Sequence, residues 1–101
     1  MSRLNRRVGE VNALADQLAQ VSAAAAGRTW ESMDDERAAW MAAWQPAALL
    51  ARERRALPLS VSEIATIVQT QRQLEPTDGA APSKGTKEAT QMVIALRIRG
   101  R

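Results

Sequence analysis

Apolar residues recur along the first quarter of the chain at helical spacing. Leu4, Val11, Leu18 and Ala25 stand seven apart, and Val8, Leu14/Ala15 and Val21/Ser22 fill the alternate places. This stripe of about three heptads predicts a helix over residues 4–26. Asn5 or Ser2 is placed to cap its start, the run Ala23 to Ala26 favours the same state, and Gly27 is placed to stop it. Such a stripe either packs on its own domain or meets a second copy of the chain.

The next stretch, Thr29 to Leu57, holds all three tryptophans, Trp30, Trp40 and Trp44, and the chain has no Phe or Tyr. Aromatic side chains bury the most area each, so the core is expected to nucleate there. Thr29 or Ser32 is read as the cap of a second helix, with Asp34, Asp35 and Glu36 in its first turn, where the helix dipole favours negative charge. Met33, Trp40 and Trp44 fall on one face, and Ala38, Ala39, Ala42 and Ala43 let a neighbouring helix come close. Pro46 interrupts the pattern. It has no N–H for the Ala42 carbonyl and pushes Gln45 off helical angles, which predicts a kink, or a stop with a new helix opening at Pro46. Leu49, Leu50 and Leu57 continue an apolar stripe that Pro58 ends.

Ser60 followed three residues later by Glu63 is a capping box, and it predicts a third helix over residues 61–74. Val61, Ile64, Val68 and Gln71 share a face of it, with Ala65 and Ile67 beside them. Residues 75–86 contain Pro76, Gly79, Pro82 and Gly85 among small polar residues, and read as a linker or functional loop. Beyond them Lys87 to Gln91 favours helix, but Met92, Ile94, Leu96 and Ile98 alternate with Val93, Ala95, Arg97 and Arg99. That period of two predicts a strand. A lone strand needs a partner, either its twin in a dimer or another protein's sheet edge. The expected fold is therefore mainly α: a three-helix domain over residues 1–74, its second helix kinked or broken at Pro46, a loop over 75–86, and a basic C-terminal arm over 87–101 read as a β-strand.

Composition narrows the chemistry. A chain of 101 residues suits one small domain, and much of its 46% hydrophobic share is alanine, which buries little area. There is no Cys and no His, which removes disulfides, thiolate metal sites and the usual neutral-pH general base. Glu31, Asp34, Asp35 and Glu36 could bind a metal through oxygen, but at a helix start they serve the dipole and solubility. Ser60 and Ser62 have no histidine to activate them, and Gly79, Gly85 and Gly100 do not form a phosphate-cradling loop. No catalytic, cofactor or metal residues are expected, and the chain reads as a non-enzyme. Arg3, Arg6 and Arg7 are followed by a segment interrupted by Glu10, Asn12, Asp16 and Gln17, and no run of 18 apolar residues exists. Neither a secretion signal nor a membrane span is expected, and the cytoplasm is the default. Richness in Ala and Arg is associated with GC-rich bacterial or phage genomes.

The formal charge of +3 and pI of about 10.6 permit nucleic acid as a partner. Arg52, Arg54 and Arg55 cluster, as do Arg3, Arg6 and Arg7, and Lys84, Lys87, Arg97, Arg99 and Arg101 follow residue 83 with Glu88 as the one acid. Such clusters neutralise phosphates or simply solvate an alanine-rich surface. Leu59 to Val68, with its Glu63-Ile64-Ala65 triplet, resembles the first helix of a helix-turn-helix unit, which implies a short turn and a recognition helix to follow. Here the helix continues into the long loop instead. Met92 to Arg99 resembles the groove-binding strand of a ribbon-helix-helix protein, which implies two strands paired in a dimer. That strand precedes two helices in the family and follows three here.

A heptad stripe, a tryptophan face and an orphan strand each ask for a covering surface. The sequence reading is a small self-associating adaptor or structural protein of bacterial or phage origin that binds itself and another protein. Leu4, Val11, Leu14, Leu18, Val21, Trp40, Trp44, Ile94 and Leu96 are the expected association residues. Arg52, Arg55, Lys84, Lys87, Arg97, Arg99 and Arg101 are the expected contacts to nucleic acid or an acidic partner. The rival is a small DNA-binding transcriptional regulator using helix 61–74 or the basic arm.

Overall fold

The computed structural model describes residues 3–76 and 79–99, with side chains described from residue 9 onward. Four α-helices make up the described fold: α1 (Arg3–Ala25), α2 (Arg37–Glu53), α3 (Val61–Leu74) and α4 (Thr86–Arg99). A 3-10 turn, Trp30–Ser32, precedes α2. Among the described residues there is no strand.

α1 stops where its sequence says it should. Gly27 takes φ 77°, its N–H donates to the Ala24 carbonyl at 3.0 Å, and the Arg28 N–H donates to the Ala23 carbonyl at 2.9 Å. These two bonds satisfy carbonyls that the helix end would otherwise leave unpaired. α2 begins later than the cap residues suggest. Thr29 stands before the 3-10 turn as its N-cap and Ser32 ends that turn, Asp34 to Glu36 form a further turn, and the helix starts at Arg37 with Glu36 as N-cap. The acidic cluster therefore lies ahead of the first helical turn. Arg37 reaches back to pair with Asp34.

Pro46 does not break α2, which runs on through it to Glu53. The proline is exposed, as are Ala42 and Gln45. The carbonyl that loses its N–H partner, that of Ala42, thus lies on the solvent side of the helix. α3 forms where the capping box places it. The Glu63 N–H donates to Ser60 Oγ at 3.1 Å, and the Ser60 N–H donates to Glu63 Oε1 at 2.9 Å.

The C-terminal arm is a helix, not a strand, and this corrects the alternation reading. Thr86, Ala89, Thr90, Val93 and Ile94 are buried along it, at i, i+3, i+4, i+7 and i+8. That is a helical stripe with two threonines in it. Thr90 Oγ1 donates to the Thr86 carbonyl at 2.8 Å, so its hydroxyl is paired inside the core.

The helices close a ring in which α1 packs on α2, α2 on α4, α4 on α3 and α3 on α1. α3 and α4 run antiparallel, since Arg97 meets Glu63 at the start of α3 while Gly85 lies against Leu74 at its end. Inside the ring sit Leu18, Trp40, Trp44, Ile64, Ile67 and Val68, with Ala19, Ala23, Ala47, Ala48, Ala51 and Ala89 filling the close approaches. Met33, from the turn before α2, is also buried there. The described chain measures 36 × 35 × 20 Å, thin enough that each helix keeps an outward side.

Candidate interaction face

Most of the expected association residues face the chain's own core. Val11, Leu14, Leu18, Trp40, Trp44 and Ile94 are buried within one chain, and Val21 packs against that cluster. Their burial needs no second molecule. Leu96 alone among the described members of that set lies open, at 61% exposure. The Leu4 side chain lies outside the described residues, as does Arg101.

The basic residues divide likewise. Arg97 is engaged inside the molecule. Its Nε donates to Glu63 Oε2 at 2.6 Å and its Nη2 to Glu63 Oε1 at 2.5 Å, the two-pronged geometry that guanidinium and carboxylate favour. Nη1 donates to the Ala56 carbonyl at 2.8 Å and Nη2 to the Pro58 carbonyl at 3.3 Å. One side chain thus ties the end of α4 to the start of α3 and to the α2–α3 connection, which contains a cis Leu57–Pro58 peptide. The Arg97 bonds, then the Ser60 backbone N–H, pull the Glu63 carboxyl down to about 2. Glu63 in turn raises Arg97 above its usual value.

Arg55, Lys84, Lys87 and Arg99 are exposed and Arg52 is half-buried. Because Arg97 reaches Ala56, the α4 terminus with Arg99 lies at the same end of the molecule as Arg54 and Arg55.

The loop before α4 is built around an unforeseen residue. Glu75, next after α3, is buried, and its carboxylate accepts from Ser83 Oγ, from the Ser83 N–H at 2.9 Å and from Gln71 Nε2 at 3.0 Å. The Ser83 hydroxyl is the main reason that its carboxyl titrates below the usual range. Gln71 Nε2 also donates to the Lys84 carbonyl at 3.0 Å. On the far side Arg28 pairs with Glu36 and donates through Nη1 to the Gly79 carbonyl at 2.6 Å. Glu75, Ser83 and Lys84 are thus tied to α3, and Gly79 to the α1–α2 connection. The small polar residues announce a loop, but their spacing says nothing of these anchors.

Among the described residues, α4 carries three of the six large apolar side chains that the fold leaves exposed. Met92 is 51% exposed, and Leu96 and Ile98 are more so. The others are Leu49 on α2, Val61 at the start of α3 and Leu74 at its end. Glu88, Met92, Ala95 and Arg99 follow at i, i+4, i+7 and i+11 along the outer side of α4, with Leu96 beside them.

The open groove between α1 and α2, about 350 Å³, is lined by Asn12, Ala15, Ala38, Met41, Ala42 and Gln45 and holds no titratable side chain. Among the described residues no three His, Cys, Asp or Glu side chains group as metal ligands. Among the described residues no helix is long and apolar enough to cross a membrane. No family model matches the chain, and no curated protein or solved structure matches it.

Proposed function

We propose that this chain is a small non-enzymatic interaction protein that associates with itself, and with a further protein, through the outer surface of α4. The carrying observation is the exposure of Met92, Leu96 and Ile98 on one helix of a domain that already covers Trp40 and Trp44 together with Val11, Leu14 and Leu18 of α1. Exposed apolar residues gathered on one element mark interaction surfaces, whereas single ones scattered over a protein do not. Self-association so moves from the heptads of α1 and a shared sheet to α4.

A second reading keeps one supporting observation. Arg54, Arg55 and Arg99 lie at one end of the molecule, as a surface meant for phosphates requires. In that reading the chain is a DNA-binding regulator.

Light scattering after size exclusion, over a concentration series, distinguishes the two when paired with duplex DNA titrated at low and moderate salt. The adaptor reading expects a mass above that of the 11.0 kDa monomer that rises with concentration, and no DNA binding at moderate salt. A monomer throughout, with DNA affinity that falls steeply with salt, overturns it in favour of the regulator.

A further inference from the structure

We propose that Glu88, Met92, Ala95, Leu96 and Arg99 form a self-complementary seam through which two copies of the chain pair their α4 helices antiparallel. The inference rests on the self-association reading and specifies its surface.

The spacing comes first. Steps of four, three and four residues from Glu88 to Arg99 keep these positions on one side of a helix through about three turns. The side they occupy is opposite the buried stripe of Thr86, Ala89, Thr90, Val93 and Ile94. It is therefore turned away from α2 and α3, and Ala95 gives it a shallow centre that a second helix can approach.

Charge then selects the occupant. The seam has an acid at its first turn and a base at its last, both exposed, at nearly equal distances from the level of Ile94. A two-fold axis at that level lays Glu88 of one copy beside Arg99 of the other, twice. The same operation brings Met92 of each copy against Leu96 of its partner, while Ala95 meets Gln91. A parallel pairing would set Glu88 on Glu88 and Arg99 on Arg99. The nearby Arg97 does not compete for Glu88, because it is held by Glu63.

The test is a charge swap read by sedimentation velocity, with far-UV circular dichroism confirming that each variant is folded. Glu88→Arg and Arg99→Glu should each weaken dimerisation on the order of tenfold, because each sets like charges at both ends of the seam. The double variant should return to within about threefold of the wild type, since the pairs are then rebuilt with reversed sign. Both swaps oppose the helix dipole, so recovery in the double variant does not come from a sturdier α4. Leu96→Glu should leave a monomer. A wild-type dimer unchanged by all of these overturns the seam and leaves self-association standing at another surface. A wild type that stays monomeric overturns both.

Discussion

Arg55 occupies a backbone position made for glycine. Its φ is 56°, its N–H donates to the Arg52 carbonyl at 3.0 Å, and the Ala56 N–H donates to the Ala51 carbonyl at 2.9 Å. This is the arrangement that Gly27 supplies at the end of α1, here with a side chain whose Cβ crowds the left-handed conformation. The Arg55→Gly variant should be more stable by about 0.5–1 kcal/mol, since the relief of crowding exceeds the entropy that glycine gains in the unfolded chain. A rise of a few degrees in Tm by calorimetry checks it. At this scale the sequence was readable wherever cause and effect lie close together. Gly27 and the Ser60–Glu63 pair announce a helix end and a helix start because each acts on atoms within a turn of itself. Glu75 was not readable. Its partners Ser83 and Lys84 lie eight and nine residues on, across a loop whose path the local sequence does not dictate. Arg97, expected to face a partner, meets Glu63 across 34 positions for the same reason.

Among the elements, α3 and α4 are held as a pair by the Glu63–Arg97 bridge. The Glu63 carboxyl falls from 4.5 to about 2 on folding. A carboxyl depressed in the folded state contributes stability that is fully present above its unfolded value and is lost as pH falls through the folded one. Its contribution should therefore be complete above about pH 5 and fade down to about pH 2. Allowing for the 20% of the side chain still in water, it amounts to about 2–3 kcal/mol. Glu63→Gln keeps an acceptor for the capping box but loses the charge, so urea unfolding should show reduced stability at pH 7 and a flatter decline between pH 5 and 2. Glu75, also depressed, leaves a residual slope in that variant. An unaltered pH profile would show that the bridge contributes little. α4 itself shows why one element was misread. Residues 92 to 96 are all apolar, so a period of two and a period of 3.6 both fit them. The deciding residues are Thr86 and Thr90, which count as polar in any pattern yet are buried. Once they join Ala89, Val93 and Ile94 the helical stripe is plain. A strand would also have needed a partner, and the described fold has none, whereas a helix closes the ring of α1, α2 and α3.

The whole molecule is a thin ring of four described helices whose interior is filled by two tryptophans and many alanines. Alanine lets the helices approach closely but leaves little apolar area per residue to hold them. Of the residues that looked most like an association surface, Trp40, Trp44, Val11, Leu14 and Leu18 are consumed in completing that interior. The helical class and three of the four helices were legible from periodicity, because an amphipathic stripe records which side is buried. What covers that side is not recorded, and so the same stripes were open to reading as contacts with a second chain. The outer side of α4, by contrast, leaves Met92 and Leu96 open. The most direct test of its role is concentration-dependent amide chemical-shift mapping by NMR on the wild-type chain. Shifts that move with concentration should concentrate on Glu88, Met92, Ala95, Leu96 and Arg99 and leave Trp40, Trp44 and α1 unmoved. Shifts that stay fixed at all concentrations, or that move on α1 instead, would contradict the assignment of α4 as the surface of association.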